Sequence, residues 1–239
     1  MVLQPSTARP PVAAFFVGIG IRTHERSATQ RHVALIYNPK DGSTQLSHLR
    51  GNYDFVDEPW DSSYMWAPAG DLDELERPTV VARLLALAKS KPNIPYGFRM
   101  GDSVFELNAD GSLRYRKGAP VTGLTCSTFV VCFFASMHRP ILDADTWPIR
   151  QEDVGWAVGI AAAMARESLD RDRLRAAGAA ATDARIRPEE LVAAYIQAPW
   201  PMDFTNAERV ARDVIADLAS VPPVQPPFLG RPGNPPAAR

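Results

Sequence analysis

The chain has 239 residues, 46% of them apolar and 22% charged, with a formal charge of -1 and two cysteines. That is enough chain for a sizeable core, one domain is the safer reading, and collagen, charge-driven disorder and a small disulfide scaffold are excluded. The arginines alternate with acids, as in RESLDRDRLR from 166 to 175, so the clustered cations needed to hold a phosphate backbone are missing and no nucleic-acid partner is expected.

Residues 1–11 read as a polar, proline-marked lead-in. VAAFFVGIGI from 12 to 21 lacks a charged region before it and a small-residue cleavage site after it, and at ten residues it is half the length of a membrane span. It is expected to be a buried strand, followed by a polar loop, THERSATQR, from 23 to 31. HVALIY from 32 to 37 is strongly strand-like, and NPKDGS from 38 to 43 gathers several turn formers, making TQLSHL from 44 to 49 its hairpin partner.

The segment 51–71 is rich in aromatics, Gly, Pro and Asp and reads as a cover for the sheet edge or as one wall of a groove. A helix follows from Leu72 or Pro78 to Ser90 and is stopped by Pro92 and Pro95. In 94–118, NADGS supplies the turn of a short hairpin between SVFEL and LRYRK. TCSTFVVCFFASM then reads as a helix from about Thr125, although its Val and Phe content also suits a strand.

After a loop at 139–155, helices are expected over 151–177, 187–197 and 206–220, the last capped by Asn206 or Thr205. Seven of the last eighteen residues are proline, which marks an extended tail. The antiparallel start and helical end give an α+β class. No segment is long enough to span a membrane, and the unpaired cysteine spacing fits a reducing, cytoplasmic location.

The four histidines and two cysteines form no metal-ligand signature, and no glycine string precedes a helix in nucleotide-binding form, so neither metal nor cofactor is expected. Thiol chemistry remains. Cys126 and Cys132 are six residues apart on one helix, on nearly opposite sides, which rules out a disulfide between them. Cys132 lies among apolar residues and reads as an inert core thiol. Cys126 opens the helix, where unpaired N–H groups and the helix dipole lower a thiol pKa and can hold an oxyanion. His32 and His48 fall near the same level of the hairpin and are candidates for base and orienter. His24 and His138 read as ordinary residues.

HVALIY with His32, the following strand with His48, and TCSTFVVCFF with Cys126 and Ser127 resemble the papain-like cysteine hydrolases of the NlpC superfamily. The histidine strand precedes the cysteine helix, as in the circularly permuted branch that includes the YiiX-like and lecithin-retinol acyltransferase-like proteins. PYGF, with Tyr96, is similar to the Pro-Tyr segment ahead of the cysteine helix in that branch.

The resemblance implies a permuted papain-like core over 1–160, with an antiparallel sheet packed against the nucleophile helix. Residues 161–220 would be a helical extension packed on the core and 221–239 a proline-rich tail. It also implies a cysteine hydrolase cleaving a peptide or isopeptide bond: Cys126 as nucleophile, His32 as general base, His48 as orienter, and Tyr96 with the Cys126 N–H at the oxyanion. Trp60, Trp66, Asp145, Trp147 and Ser127 are the candidate substrate contacts. An acyltransferase or thioesterase using the same cysteine is the first alternative. The second is a non-enzymatic protein whose C-terminal helices or tail bind a protein partner.

Overall fold

In the computed structural model the described residues are 1–24, 27–40, 42–97, 105–107, 113–115, 123–167 and 184–220. Strands β1 (Val17–His24), β2 (Ser27–Tyr37), β3 (Gln45–Gly51), β4 (Asp54–Pro59) and β5 (Met65–Pro68) form one antiparallel sheet in the order β4-β3-β2-β1-β5. Helix α1 (Glu76–Ser90) is followed by a two-stranded pair, β6 (Phe105–Leu107) and β7 (Leu113–Tyr115). Helices α2 (Cys126–Ala135), α3 (Gln151–Glu167), α4 (Pro188–Ile196) and α5 (Phe204–Ser220) follow among the described residues. The class is α+β.

Sheet alternation produces two cores. Ile19, Ile21, Val33, Leu35, Tyr37, Leu49, Met65 and Ala67 point to the helical layer and join one large cluster with residues of α1, α2, α4 and α5. On the outer face, Phe16, Ala34, Ile36, Leu46, Tyr64 and Trp66 make a smaller core, with Trp60 packed against it. Both faces of β2 are therefore covered, which is why HVALIY is continuously apolar instead of alternating.

Several expectations change. Most of the polar stretch 23–31 is strand and not loop: β1 runs on to His24 and β2 starts at Ser27, so His32 lies in mid-strand and not at a strand start. Both strands run past the end of β5, whose pairing with β1 stops at Ile21–Met65. Segment 51–71 contains two strands, β4 and β5, besides its covering aromatics. The lead-in is tied down, with the Asp217 carboxylate accepting the N–H groups of Val2 at 2.6 Å and Leu3 at 2.9 Å, and Gln4 pairing with Trp66.

Helix α5 begins at Phe204, and Asp203 serves as its cap by accepting the Asn206 N–H at 2.9 Å; neither Asn206 nor Thr205 does so. Leu191, Val192, Ala193, Ala194 and Tyr195 of α4 are fully buried, so this part of the expected extension belongs to the core itself. Helix α3 is described as far as Glu167; the remainder of the predicted 151–177 helix, the NADGS turn and the proline-rich tail lie outside the described residues.

On the inner face Asp57 accepts the Tyr37 hydroxyl at 2.9 and 3.1 Å, and burial raises its pKa to about 6. A carboxyl whose pKa is higher folded than unfolded binds its proton more tightly in the native state. Its contribution to stability is thus complete below the unfolded value and lost as pH rises through about 6. Asp57→Asn, which keeps an acceptor for Tyr37 and cannot ionise, is expected to be more stable than wild type by about 1–3 kcal/mol at pH 7.5. Urea titrations at pH 7.5 and pH 4 check this, and the gain must shrink at the lower pH.

Candidate active site

β2 and β3 are paired only from Tyr37–Gln45 to Leu35–Ser47, whereas β2 stays paired to β1 through Arg31–Thr23 and, past a bulge, at Ser27–His24. Beyond Leu35 the sheet opens between its second and third strands. His32 and His48 face each other across this opening on the outer face, with Nε2 of His32 2.7 Å from Nδ1 of His48. His48 Nε2 in turn lies 3.0 Å from Glu58 Oε1 on β4. Glu58 reaches His48 because it stands two residues along the same face from Val56, the direct partner of His48.

The order of this chain fixes the tautomers. His48 is fully buried, and burial holds its pKa below the ordinary histidine value despite the neighbouring carboxylate, so the ring is neutral at pH 7. Its Nε2–H donates to Glu58, leaving Nδ1 to accept from the Nε2–H of His32. His32 Nδ1 is then the basic nitrogen at the end of the chain. Tyr64 lies edge-on to both rings, with centroid distances of 6.3 and 6.4 Å, and holds them from the solvent side of the sheet.

Cys126 arrives from the helical layer. Thr125 caps α2 by accepting the Thr128 N–H at 3.1 Å, while the Thr125 N–H donates to the Thr128 hydroxyl at 2.7 Å. Phe129, Val130 and Phe133 bury the helix against the inner face. This sets Cys126, half-buried, at the opening, where its sulfur accepts the backbone N–H of Val33, the residue after His32. The sulfur is hydrogen-bonded to the Val33 N–H and to Ser127.

Burial pushes the Cys126 thiol up, and the Val33 N–H, Ser127 and the charge of Arg185 only partly oppose it. The lowered pKa expected from the helix start is therefore corrected: enclosure outweighs the helix end, and the resting group is a thiol that needs a base. Ser127 is 1% exposed and bonds to Cys126, so it positions the sulfur and is not a substrate contact.

Tyr96 comes beside the helix start through a parallel bridge to Leu124, with Leu124 N–H donating to the Pro95 carbonyl at 2.9 Å and Asn52 Oδ1 accepting the Tyr96 N–H at 3.1 Å. Burial, with the nearby Cys126 adding to it, raises the phenol pKa and keeps it a donor. The approach depends on two glycines. A Cβ on Gly123, whose φ is +151°, would meet the Pro95 carbonyl at 2.5 Å, and one on Gly97 would meet Gly123 at 2.7 Å. Gly123→Ala is expected to cost about 1–3 kcal/mol and to displace Tyr96. Urea denaturation together with the alkylation rate of Cys126 measures both effects.

The remaining sequence candidates separate. Trp60 packs against Tyr64, ring centroids 6.4 Å apart, on the imidazole side of the sheet. Trp66 is buried in the outer core, its Nε1 donating to the Ala8 carbonyl at 2.7 Å. Trp147 is buried, donates to Glu190 at 3.1 Å and stacks edge-on with Phe204. Asp145 is exposed on a 3₁₀ turn, Ala144–Thr146, that leads into it. Trp66 and Trp147 spend their indole N–H groups on the fold, which removes them as substrate contacts.

Sequence reasoning missed Glu58, Tyr64, Asn52 and Arg185. None of the four carries a local pattern that marks it in the sequence, since the strand of Glu58 shows no alternation of burial. No helix among the described residues is long and apolar enough to cross a membrane. Among the same residues no group of three or more His, Cys, Asp or Glu is placed to hold a metal ion. Comparison with protein families, with curated proteins and with solved structures returns no match for this chain.

Proposed function

We propose that the protein is a cysteine hydrolase that cleaves an amide bond through an acyl-enzyme on Cys126. The observation that carries this reading is the Glu58–His48–His32 hydrogen-bond chain, ending at the opening where Cys126 meets the N–H of Val33. Three polar side chains aligned from a carboxylate to one basic nitrogen serve to orient a general base. The order of histidine strand, second polar strand and cysteine helix supports placement with the permuted papain-like branch of the NlpC superfamily.

His32 Nδ1 takes the thiol proton as the sulfur leaves Val33 by rotation about its own side chain and adds to the substrate carbonyl. The oxyanion gathers the N–H of Cys126 at the start of α2 and the Tyr96 hydroxyl. Collapse of the tetrahedral adduct breaks the C–N bond, and the imidazolium of His32 protonates the departing amine. Water then attacks the thioester, giving one proton to His32, and the thiol is restored when the carboxylic acid leaves. His48 and Glu58 keep the His32 tautomer through both halves. Because the resting sulfur is a thiol, every turnover depends on His32.

The test is labelling by a peptidyl acyloxymethyl ketone, followed by mass spectrometry of the Cys126 peptide. Wild type is expected to label, Cys126→Ala not at all and His32→Ala at least about a hundredfold more slowly. Equal labelling of wild type and His32→Ala overturns the assignment.

A further inference from the structure

A cavity of about 650 Å³ opens at the end of the sheet remote from the thiol. Its walls are Tyr37 at the end of β2, Lys40 in the turn that follows, Gln45 at the start of β3, Asp57 of β4 and Leu85 of α1. Tyr37 stands about 16 Å along β2 from His32, at the end where β2 and β3 are still paired. The cavity is therefore separate from the cysteine site.

Two opposite charges on its walls lack a counter-charge. Asp57 is half-buried, and both its oxygens accept the Tyr37 hydroxyl, but no cation among the described residues pairs with it. Lys40, exposed at the rim, has no acid partner among the same residues, and the two are not paired with each other. Burial already makes the ionised carboxyl of Asp57 costly to the fold, so a cation arriving from solvent has a charge to neutralise there.

The neighbouring groups add to this. Gln45 donates through its amide nitrogen to the Ser43 hydroxyl at 3.0 Å and to the Ser43 carbonyl at 3.4 Å, which leaves its amide oxygen as a further acceptor. Pro39 and Leu85 supply an apolar surface, and Leu85 is 43% exposed on a helix whose other large apolar side chains are buried. A carboxylate, an ammonium and an apolar wall around one cavity match a ligand that carries the opposite charges and an apolar group of its own.

We propose that this cavity binds a free α-amino acid with an apolar side chain, its ammonium on Asp57 and Gln45, its carboxylate on Lys40 and its side chain against Leu85 and Pro39. Tyr37 is a positioning residue that holds the Asp57 carboxylate in place. An amine or a carboxylic acid alone would leave one wall charge unanswered. The volume lies within the range of about 300–1,000 Å³ usual for small-ligand clefts. Nothing in this proposal depends on the reading of Cys126 as a nucleophile.

Isothermal titration of the full chain at pH 7 with L-leucine and L-phenylalanine tests it, with leucinamide, 4-methylpentanoate and glycine as probes lacking the carboxylate, the ammonium and the side chain in turn. At least one of the two amino acids is expected to bind with a Kd below about 1 mM, and each incomplete probe at least about tenfold more weakly than L-leucine. Asp57→Asn, which keeps an acceptor for Tyr37, and Lys40→Met are each expected to weaken binding about tenfold, and Leu85→Ala about threefold. Failure of both amino acids to bind at about 20 mM overturns the proposal. So does leucinamide or 4-methylpentanoate binding as tightly as L-leucine. Binding unchanged in Asp57→Asn also overturns it, because the ligand then sits elsewhere.

Discussion

His32→Ala is expected to lower the rate of Cys126 acylation by about 10²- to 10⁴-fold, with His48→Ala next at about a hundredfold and Glu58→Gln smallest at about tenfold. The order follows from the direction of the hydrogen-bond chain. His32 carries the nitrogen that removes the thiol proton, and burial of that thiol leaves no preformed thiolate to act in its absence. His48 holds the His32 tautomer at 2.7 Å, and Glu58, 39% exposed, holds His48 from a position where water can take its place. The burst of p-nitrophenol from p-nitrophenyl acetate, followed by stopped flow in the four proteins, measures the series. A His48→Ala burst as fast as that of wild type would remove His48 from the relay and leave a two-residue site.

Phe129→Ala carries the largest expected loss of stability, about 3–5 kcal/mol. Its ring is fully buried and meets Phe55 of β4 at 5.8 Å, Phe105 of β6 at 5.9 Å and Phe133 one turn along its own helix at 6.5 Å. Three elements lose their common contact at once, and the cavity lies one turn below the nucleophile. Since a domain of this kind is stable by only about 5–15 kcal/mol, the change takes a large share of the total. Guanidinium denaturation gives the equilibrium value. The same variant is expected to slow Cys126 alkylation under native conditions, because α2 is what places the sulfur in the strand opening. A loss below about 1 kcal/mol would mean that the helix is anchored elsewhere.

Local signals were sufficient wherever the neighbours in the chain set the outcome. HVALIY shows a buried strand because both its faces are covered, and NPKDGS turns the chain into TQLSHL. Thr125 with Thr128 closes the start of α2, which leaves Cys126 as the first helical residue. The level of His32 and His48 on adjacent strands follows from strand geometry and the turn, and the rings do meet. Pro188 at its first position marks the start of α4 correctly.

Signals failed where the deciding partner was distant. β1 and β2 run beyond β5 through a polar stretch of sequence, where hydrophobic periodicity had nothing to register. DFVDEP is half-buried along its length and shows no clean alternation, which hid β4 and with it Glu58. Trp66 and Trp147 have the composition of groove aromatics, but their indole N–H groups are committed to Ala8 and Glu190.

By itself the sequence determined the class of fold, the helix opened by Cys126 and the pairing of two histidines, because caps, turns and strand alternation act over a few residues. Only the tertiary structure decided that β2 and β3 part beyond Leu35, that Glu58 completes the chain, and that burial raises the thiol. It alone decided, too, that the Asp153 carboxylate is divided among Arg150, Arg185 and Arg187. Those properties depend on how strands diverge and how charges are shared among residues far apart in the chain, and neither divergence nor sharing leaves a local pattern.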